Sequence, residues 1–267
     1  MSFNFWKKNG VIYFEDNGGY ESRNDSTIWC IKRANEIYNW DDFKPLKIYT
    51  GDFEKESSDY TYSKINSTFR TVPDFNFHAW PEVGIEDYNK LILEIDSAGL
   101  TKPEYNKVGW IGTINTVKQR KDIYNLSKEI SYMDIIPNTW SKSDNIKLNG
   151  DKYISTPNLV KKYSILIDIE GNGYSARVKH LLWSHRPLII VDRKHKEFFF
   201  EKLKPWEHYI PVKHDLSDLL KNINWCLENE KDAKRIAENA YNFSKKYLTR
   251  EACYSRWNEI ILDNKIL

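Results

Sequence analysis

The sequence predicts an α/β protein made of two Rossmann-like lobes. Two observations carry the class. Short apolar runs alternate with amphipathic, helix-length segments along the second half of the chain. Two of those runs, Lys107-Val-Gly-Trp-Ile111 and Tyr163-Ser-Ile-Leu-Ile-Asp168, each lead through a glycine-bearing turn into such a segment. Alternating strands and helices imply a mostly parallel sheet covered on both faces.

Taken in order, the first element is a helix over about 26–39, with Ser26 as N-cap and Ile28, Ile31, Ala34 and Tyr38 on or near one face. Pro45-Leu-Lys-Ile-Tyr49 reads as a strand that ends at Thr50-Gly51-Asp52. Residues 53–80 are polar and aromatic and read as a long irregular loop, a length that in compact domains is often functional. The second half starts near Lys102-Pro103. A strand at 107–111 is followed by the turn Gly112-Thr-Ile-Asn-Thr116, then by a helix over about 117–130 with Ile123, Leu126 and Ile130 at helical spacing. Tyr132-Met-Asp-Ile-Ile136 is the next strand. After Tyr163–Asp168 come Glu170-Gly171-Asn172-Gly173, a helix opening Ser175-Ala-Arg177 and running to Leu182, and the strand Pro187-Leu-Ile-Ile-Val-Asp192. A strand at 208–212 and helices at about 217–228, 232–247 and 251–263 complete the chain. The lobes are read as 1–100 and 101–247, with the last helix, 248–267, packing back on the first lobe.

Composition sets bounds. The 267 residues suffice for one large or two small domains. The 40 Lys+Arg nearly balance the 38 Asp+Glu, for a formal net charge of +2, which argues against a nucleic-acid binder. No apolar run approaches the ~20 residues of a membrane span. The opening Met1-Ser-Phe-Asn-Phe-Trp-Lys-Lys-Asn-Gly10 has no secretory apolar region, and the three cysteines, Cys30, Cys226 and Cys253, show no CxxC spacing. The expectation is a thiol-reduced, cytoplasmic protein. The 10 Trp and 17 Tyr are rings that could stack on sugar faces, though cores and surfaces use them as well.

The turn Glu170-Gly171-Asn172-Gly173 lies at the carboxyl end of a predicted strand, where open α/β sheets bind nucleotides. Glycines let backbone approach a ligand, a helix N-terminus favours an anion, and Arg177 adds a full positive charge there. The physical reading is a diphosphate site. Gly112, Thr113, Asn115, Thr116 and Arg120 form a second candidate at the first glycine turn, phosphate-binding or an ordinary N-cap cluster. A dinucleotide-binding oxidoreductase is disfavoured, because Ala176 stands where a GxGxxG fingerprint would continue and the spacing is shorter.

The run Asp168-Ile-Glu-Gly-Asn-Gly-Tyr-Ser-Ala-Arg177, with Leu203-Lys-Pro-Trp-Glu-His-Tyr-Ile-Pro-Val-Lys213 and Asp215-Leu-Ser-Asp-Leu219, resembles glycosyltransferase family 90. The likeness spans roughly residues 105–260 and is weaker over 1–100. That family holds protein O-glucosyltransferases and O-xylosyltransferases, capsule-associated xylosyltransferases and bacterial lipopolysaccharide glycosyltransferases. The resemblance implies a GT-B-like architecture with the donor site in the cleft, on the C-terminal lobe. It implies an inverting transferase that uses a UDP-sugar, mainly UDP-glucose or UDP-xylose, with Arg177 on the donor diphosphate and Gly171, Asn172, Gly173, Tyr174 and Ser175 beside it. The chain departs from the pattern at Ile111 and Ile114, where basic residues can occur, leaving Arg120.

The same resemblance implies an aspartate base after a first-lobe strand, and Asp52 is the best match, with Asp59 and Asp74 as alternatives. An ordinary Gly-Asp turn is the competing reading of Asp52. His78, Trp80 and Trp206 are candidate sugar platforms, and His208 reads as structural. No DxD-like pair stands in a convincing loop, Asp41-Asp42 lacking the context, and His180, His185, His195 and His214 lack metal-ligand spacing. The expectation is metal-independent transfer without a cofactor, to a glycan, polysaccharide or lipopolysaccharide acceptor. A non-catalytic nucleotide-sugar binder of the same fold stays open as the alternative.

Overall fold

The computed structural model describes residues 1–54, 60–138 and 154–266. In chain order the strands and helices are β1 (Ser2–Lys8), β2 (Val11–Asp16), α1 (Glu21–Tyr38), β3 (Phe43–Tyr49), β4 (Tyr60–Thr61) and β5 (Lys64–Ile65). Next come α2 (Tyr88–Gly99), β6 (Tyr105–Gly112), α3 (Lys118–Ser127), β7 (Met133–Pro137), α4 (Thr156–Lys162), β8 (Tyr163–Asp168), α5 (Val178–Leu181) and β9 (Leu188–Val191). The last are β10 (His195–Lys196), β11 (Ile210–Val212), α6 (Leu219–Glu228), α7 (Glu230–Tyr247) and α8 (Arg250–Ile266). The chain divides into two compact units: Met1–Tyr88 with Lys194–Glu201 and Tyr247–Leu267, and Asn89–Arg193 with Lys202–Lys246.

The second unit holds a five-stranded sheet in the order β11-β9-β8-β6-β7. Every neighbouring pair in it is parallel. Parallel central strands are covered on both faces, so they need apolar residues at successive positions. β9 is buried at each of its positions, Leu188-Ile-Ile-Val191, and β8 at all but Ser164. Val108, Trp110, Ile165, Ile167, Ile189 and Val191 from the sheet pack with Ile123 of α3, Leu219 and Ile223 of α6, and Ile236 of α7. The strand order has one reversal. From β6 the chain moves outward to β7, then returns to the other side of β6 to lay down β8 and, beyond it, β9 and β11. The carboxyl ends of β6 and β8 therefore flank the topological switch point, where such sheets open a crevice. Both glycine turns singled out in the sequence lie there.

The first unit holds a four-stranded sheet in the order β2-β1-β3-β4. β1 runs antiparallel to both β2 and β3, and only β3 with β4 is parallel. This mixed sheet is not the Rossmann-like order expected for residues 1–100. The cause is local. Asn9 and Gly10 join β1 to β2 with φ of 52° and 77°, the two left-handed residues of a tight hairpin turn, and a two-residue turn enforces antiparallel pairing. Asp42 fastens the turn by accepting from the Asn9 and Gly10 N–H groups at 2.7 and 3.1 Å. The C-terminal helix belongs to this unit. Trp257 of α8 is fully buried edge-on against Phe5 at 6.0 Å, and Trp40 Nε1 donates to Asn258 Oδ1 at 2.9 Å.

Other expectations are corrected. α1 begins at Glu21, so Ser26 is not its N-cap; Ser26 is buried within the helix and donates its hydroxyl to the Ala79 carbonyl at 3.0 Å. The hairpin, α2 and α4 add to the elements expected from the sequence. The helix expected from Ser175 to Leu182 contracts to the four residues of α5, with Arg177 as its N-cap. Ser175 commits its side chain to a buried carboxylate, and a turn follows with His185 at φ 52°.

Candidate functional site

Gly112 and Gly171 at the switch point are there for space, not for a left-handed backbone. The described glycines with positive φ are Gly10, Gly18, Gly19 and Gly84, and neither Gly112 nor Gly171 is among them. A Cβ at Gly112 would stand 2.7 Å from Cζ2 of Trp110. A Cβ at Gly171 would meet the Tyr174 carbonyl oxygen at 3.3 Å and Arg120 Nη2 at 3.6 Å. The second distance shows how the two loops are joined. Arg120 reaches across from the β6 side and donates from Nη1 to the Thr113 carbonyl at 3.1 Å and from Nη2 to the Ile169 carbonyl at 2.9 Å. The guanidinium thus braces the loop after β6 against the loop after β8. It is half-buried, and burial first, then the nearby charge of Arg177, lowers its pKa to about 10.

Around this brace are buried polar atoms without a hydrogen-bond partner among the described residues: Oγ1 of Thr113, Oγ1 of Thr116 and Nε of Arg120. Leaving such groups unpaired costs about 1–3 kcal/mol each. Two hydroxyls and a guanidinium N–H suit the oxygens of a phosphate. Asn115 belongs to the same loop.

On the β8 side, Asp168 is the hub. It accepts from the Ser175 hydroxyl at 2.7 Å. It forms an ion pair with Arg193, Nη1 to Oδ2 at 2.7 Å, angled off the line of a hydrogen bond, with side chains 1% and 0% exposed. Arg193 Nη2 also donates to the Asp168 carbonyl at 3.1 Å. A buried pair of this kind costs about 3–5 kcal/mol when one partner is removed. Ser175, expected beside the donor, is therefore occupied in shaping the loop. Tyr174 is buried too, with the fully buried Lys179 over its ring at 5.8 Å, and Asn172 is exposed. Arg177 is partly exposed at the head of α5. The expected helix N-terminus does not form as an anion site, because α5 is one turn long and the Val178 N–H already donates to the Ser175 carbonyl at 3.2 Å. The positive charge of Arg177 remains.

In the first unit, Asp52 follows β3 and pairs through Oδ1 with Arg23 Nη1 at 2.8 Å. Arg23 lies over the rings of Tyr20 at 4.4 Å and Phe75 at 4.9 Å, and donates to the Thr50 carbonyl at 3.3 Å. Asp74 is buried and N-caps the 3₁₀ turn Phe75–Phe77, accepting from the Asn76 N–H at 3.2 Å and Asn76 Nδ2 at 3.0 Å, which fits a structural role. Asp59 lies outside the described residues. His78 stacks on Trp29 with centroids 4.0 Å apart, and burial lowers its pKa. Trp80 sits edge-on to Phe75 at 5.2 Å. Both rings thus serve packing in this unit. In the second unit Trp206 is exposed and edge-on to Trp225 at 4.9 Å. His208 Nδ1 accepts from the Lys204 N–H at 3.0 Å.

Arg23, Trp110, Asp168 and Arg193 were not recognised as site residues from the sequence. Their partners stand 29 positions away for Arg23 and 25 for Arg193, and no local pattern records that. Among the described residues no group of three or more His, Cys, Asp or Glu could hold a metal ion, and no helix is long and apolar enough to cross a membrane.

Residues 48–264 match the sequence model of glycosyl transferase family 90. Among similar curated proteins, human protein O-glucosyltransferase 1 is 34% identical over 100 residues, 38% of this chain and 26% of that protein. Human protein O-glucosyltransferase 3 is 29% identical over 100 residues, 38% of this chain and 20% of that protein. The uncharacterized protein 035R of Invertebrate iridescent virus 3 is 28% identical over 172 residues, 63% of this chain and 14% of that protein. These matches thus span about a quarter or less of each relative's length. Among solved structures, Anabaena HepE in complex with UDP-glucose aligns with a TM-score of 0.41 at 11% identity, over 70% of this chain and 47% of that one.

Proposed function

The chain belongs to glycosyl transferase family 90, and on that premise we propose that it transfers a sugar from a UDP-sugar to an acceptor hydroxyl. The observation that carries the proposal is the brace at the switch point. Arg120 ties together the loops after β6 and β8, the loop after β6 carries hydroxyls of Thr113 and Thr116 that have no hydrogen-bond partner among the described residues, and the charge of Arg177 stands close by. Such a set binds a diphosphate and stabilises the charge that develops on it as the glycosidic bond breaks. Protein O-glucosyltransferases among the relatives support glucose as the transferred sugar, with xylose as the competing donor.

In the proposed reaction Asp52 takes the proton of the acceptor hydroxyl, whose oxygen forms the new bond at the anomeric carbon. The bond to the UDP oxygen breaks on the opposite face, so configuration inverts, and Arg177 and Arg120 offset the charge on UDP without a divalent cation. The acceptor is read as a glycan, polysaccharide or lipopolysaccharide hydroxyl, and the setting as cytoplasmic. The GT-B layout is part of this reading.

A non-catalytic nucleotide-sugar binder is the second reading, favoured by the ion pair that already occupies Oδ1 of Asp52. Incubation with UDP-glucose or UDP-xylose and a panel of glycan acceptors separates the two. Transfer releases UDP and yields a product of inverted configuration. Tight donor binding with no UDP release from any acceptor would favour the binder, and a retained configuration would overturn the Asp52 mechanism.

A further inference from the structure

Trp110 lies in the apolar run of β6, two residues before Gly112, and is fully buried. The guanidinium carbons of both crevice arginines lie over its ring, Arg120 at 5.2 Å and Arg177 at 5.9 Å. Two cations drawn to one place repel each other, and the charge of Arg177 is the largest influence after burial that lowers the pKa of Arg120. An aromatic face carries a negative quadrupole potential, so a ring shared by two guanidinium groups offsets part of that repulsion. The missing side chain at Gly112 leaves the space the ring fills, since a Cβ there would approach Trp110 Cζ2 to 2.7 Å. Positions 111 and 114 carry isoleucine, so the turn itself brings no second cation.

We propose that Trp110 is a positioning residue whose ring holds Arg120 and Arg177 side by side, as a paired cation for the diphosphate of a nucleoside-diphosphate ligand. The inference rests on the diphosphate reading of this crevice. Arg120, tied to two carbonyl oxygens, is the fixed charge, and Arg177, partly exposed, is the group that reaches the ligand. Asp168 and Glu170 offset part of the charge at Arg120, and a diphosphate adds further negative charge at the pair, so the ring raises affinity for the diphosphate while the core of the sheet stays as it is.

The test is isothermal titration of UDP into the parent protein and into Trp110→Leu, Trp110→Phe and Gly112→Ala. Thermal unfolding and UDP-induced tryptophan fluorescence are followed in parallel. The leucine variant is expected to bind UDP ~10-fold more weakly, and the phenylalanine variant a few-fold more weakly, because its ring is a poorer cation partner. Gly112→Ala, which pushes the ring aside, should also weaken binding, with a smaller change in unfolding temperature than the leucine variant. The fluorescence response to UDP should be present in the parent and lost in Trp110→Phe. Equal UDP affinity in the parent and the leucine variant would overturn the inference and leave the diphosphate reading standing. A parent that binds neither UDP nor pyrophosphate would overturn both. Should the leucine variant unfold, the phenylalanine variant decides: parental affinity with a parental fluorescence response overturns the proposal.

Discussion

Arg177 and Asp52 are the residues on which the chemistry is proposed to turn, and they were legible in the sequence for different reasons. Arg177 stood out because a cation follows a glycine turn at a strand's carboxyl end. What its sequence context could not show is the company it keeps, Trp110 and Arg120, brought together only by the parallel pairing of β6 with β8. Arg177→Ala is expected to lower turnover by at least ~10²-fold and to weaken UDP, as removing a preorganised donor to developing charge does. Arg177→Lys should recover only part of this, since a point charge cannot reproduce a planar fork. Steady-state kinetics with varied donor checks both, and parental donor kinetics in the alanine variant would move the phosphate site elsewhere. Asp52 stood out as a carboxylate after a strand and glycine, whereas its partner Arg23 comes from α1, 29 positions earlier. Asp52→Asn keeps shape and hydrogen bonding but cannot accept a proton. UDP affinity should stay within a few-fold while transfer falls by roughly 10²–10⁴. Transfer near the parental rate in this variant would remove Asp52 from the mechanism.

At the scale of elements, the second unit was readable because its strands are continuous apolar runs and its helices keep a 3.6-residue period. Ile165, Leu166 and Ile167 of β8 and Ile189 and Ile190 of β9 fall inside the expected strands. Two further elements carry signals in the sequence. Asn9-Gly10 between short apolar-rich runs is a strong hairpin signal. Tyr88, Leu91, Ile92 and Ile95, all buried, follow helical spacing in α2. The length of α5 was not legible, since it depends on Ser175 bonding to Asp168. That short helix carries a testable load. His180 is fully buried in it, and burial, then the charges of Lys179 and Arg177, hold its pKa well below the ordinary histidine value. In the fold it stays neutral, whereas in the unfolded chain it takes up a proton as pH falls below about 6.5. The unfolded state then binds more protons, so stability is lost as pH drops through that value, by up to about 1.4 kcal/mol per pH unit from this residue. Urea unfolding at pH 7 and pH 5.5 should show a shallower loss in His180→Gln than in the parent. Equal losses would mean that His180 takes up its proton alike in both states.

For the whole molecule, ligand linkage joins the site to the fold. UDP is proposed to bind at the carboxyl ends of β6 and β8, loops whose conformation depends on Arg120, Asp168 and Arg193. These are buried polar contacts, and an unfolded chain offers none of them together, so UDP binds the folded chain alone. A ligand of that kind stabilises by about 2.7 kcal/mol at a hundred times its Kd. For a domain of 150–250 residues each kcal/mol moves the midpoint by roughly 2–4 °C, which puts the expected rise in Tm near ~5–10 °C. The contribution should be carried by the guanidinium pair, so the rise should appear equally in buffer containing a chelator and shrink in Arg177→Ala. It should also be larger for the true donor than for UDP, because the sugar adds contacts of its own, and a scan of UDP-glucose against UDP-xylose then ranks the donors. A rise that disappears with the chelator and returns with manganese would show that a divalent ion, not the arginines, neutralises the diphosphate. A rise of the same size in Arg177→Ala would place the nucleotide at another part of the chain.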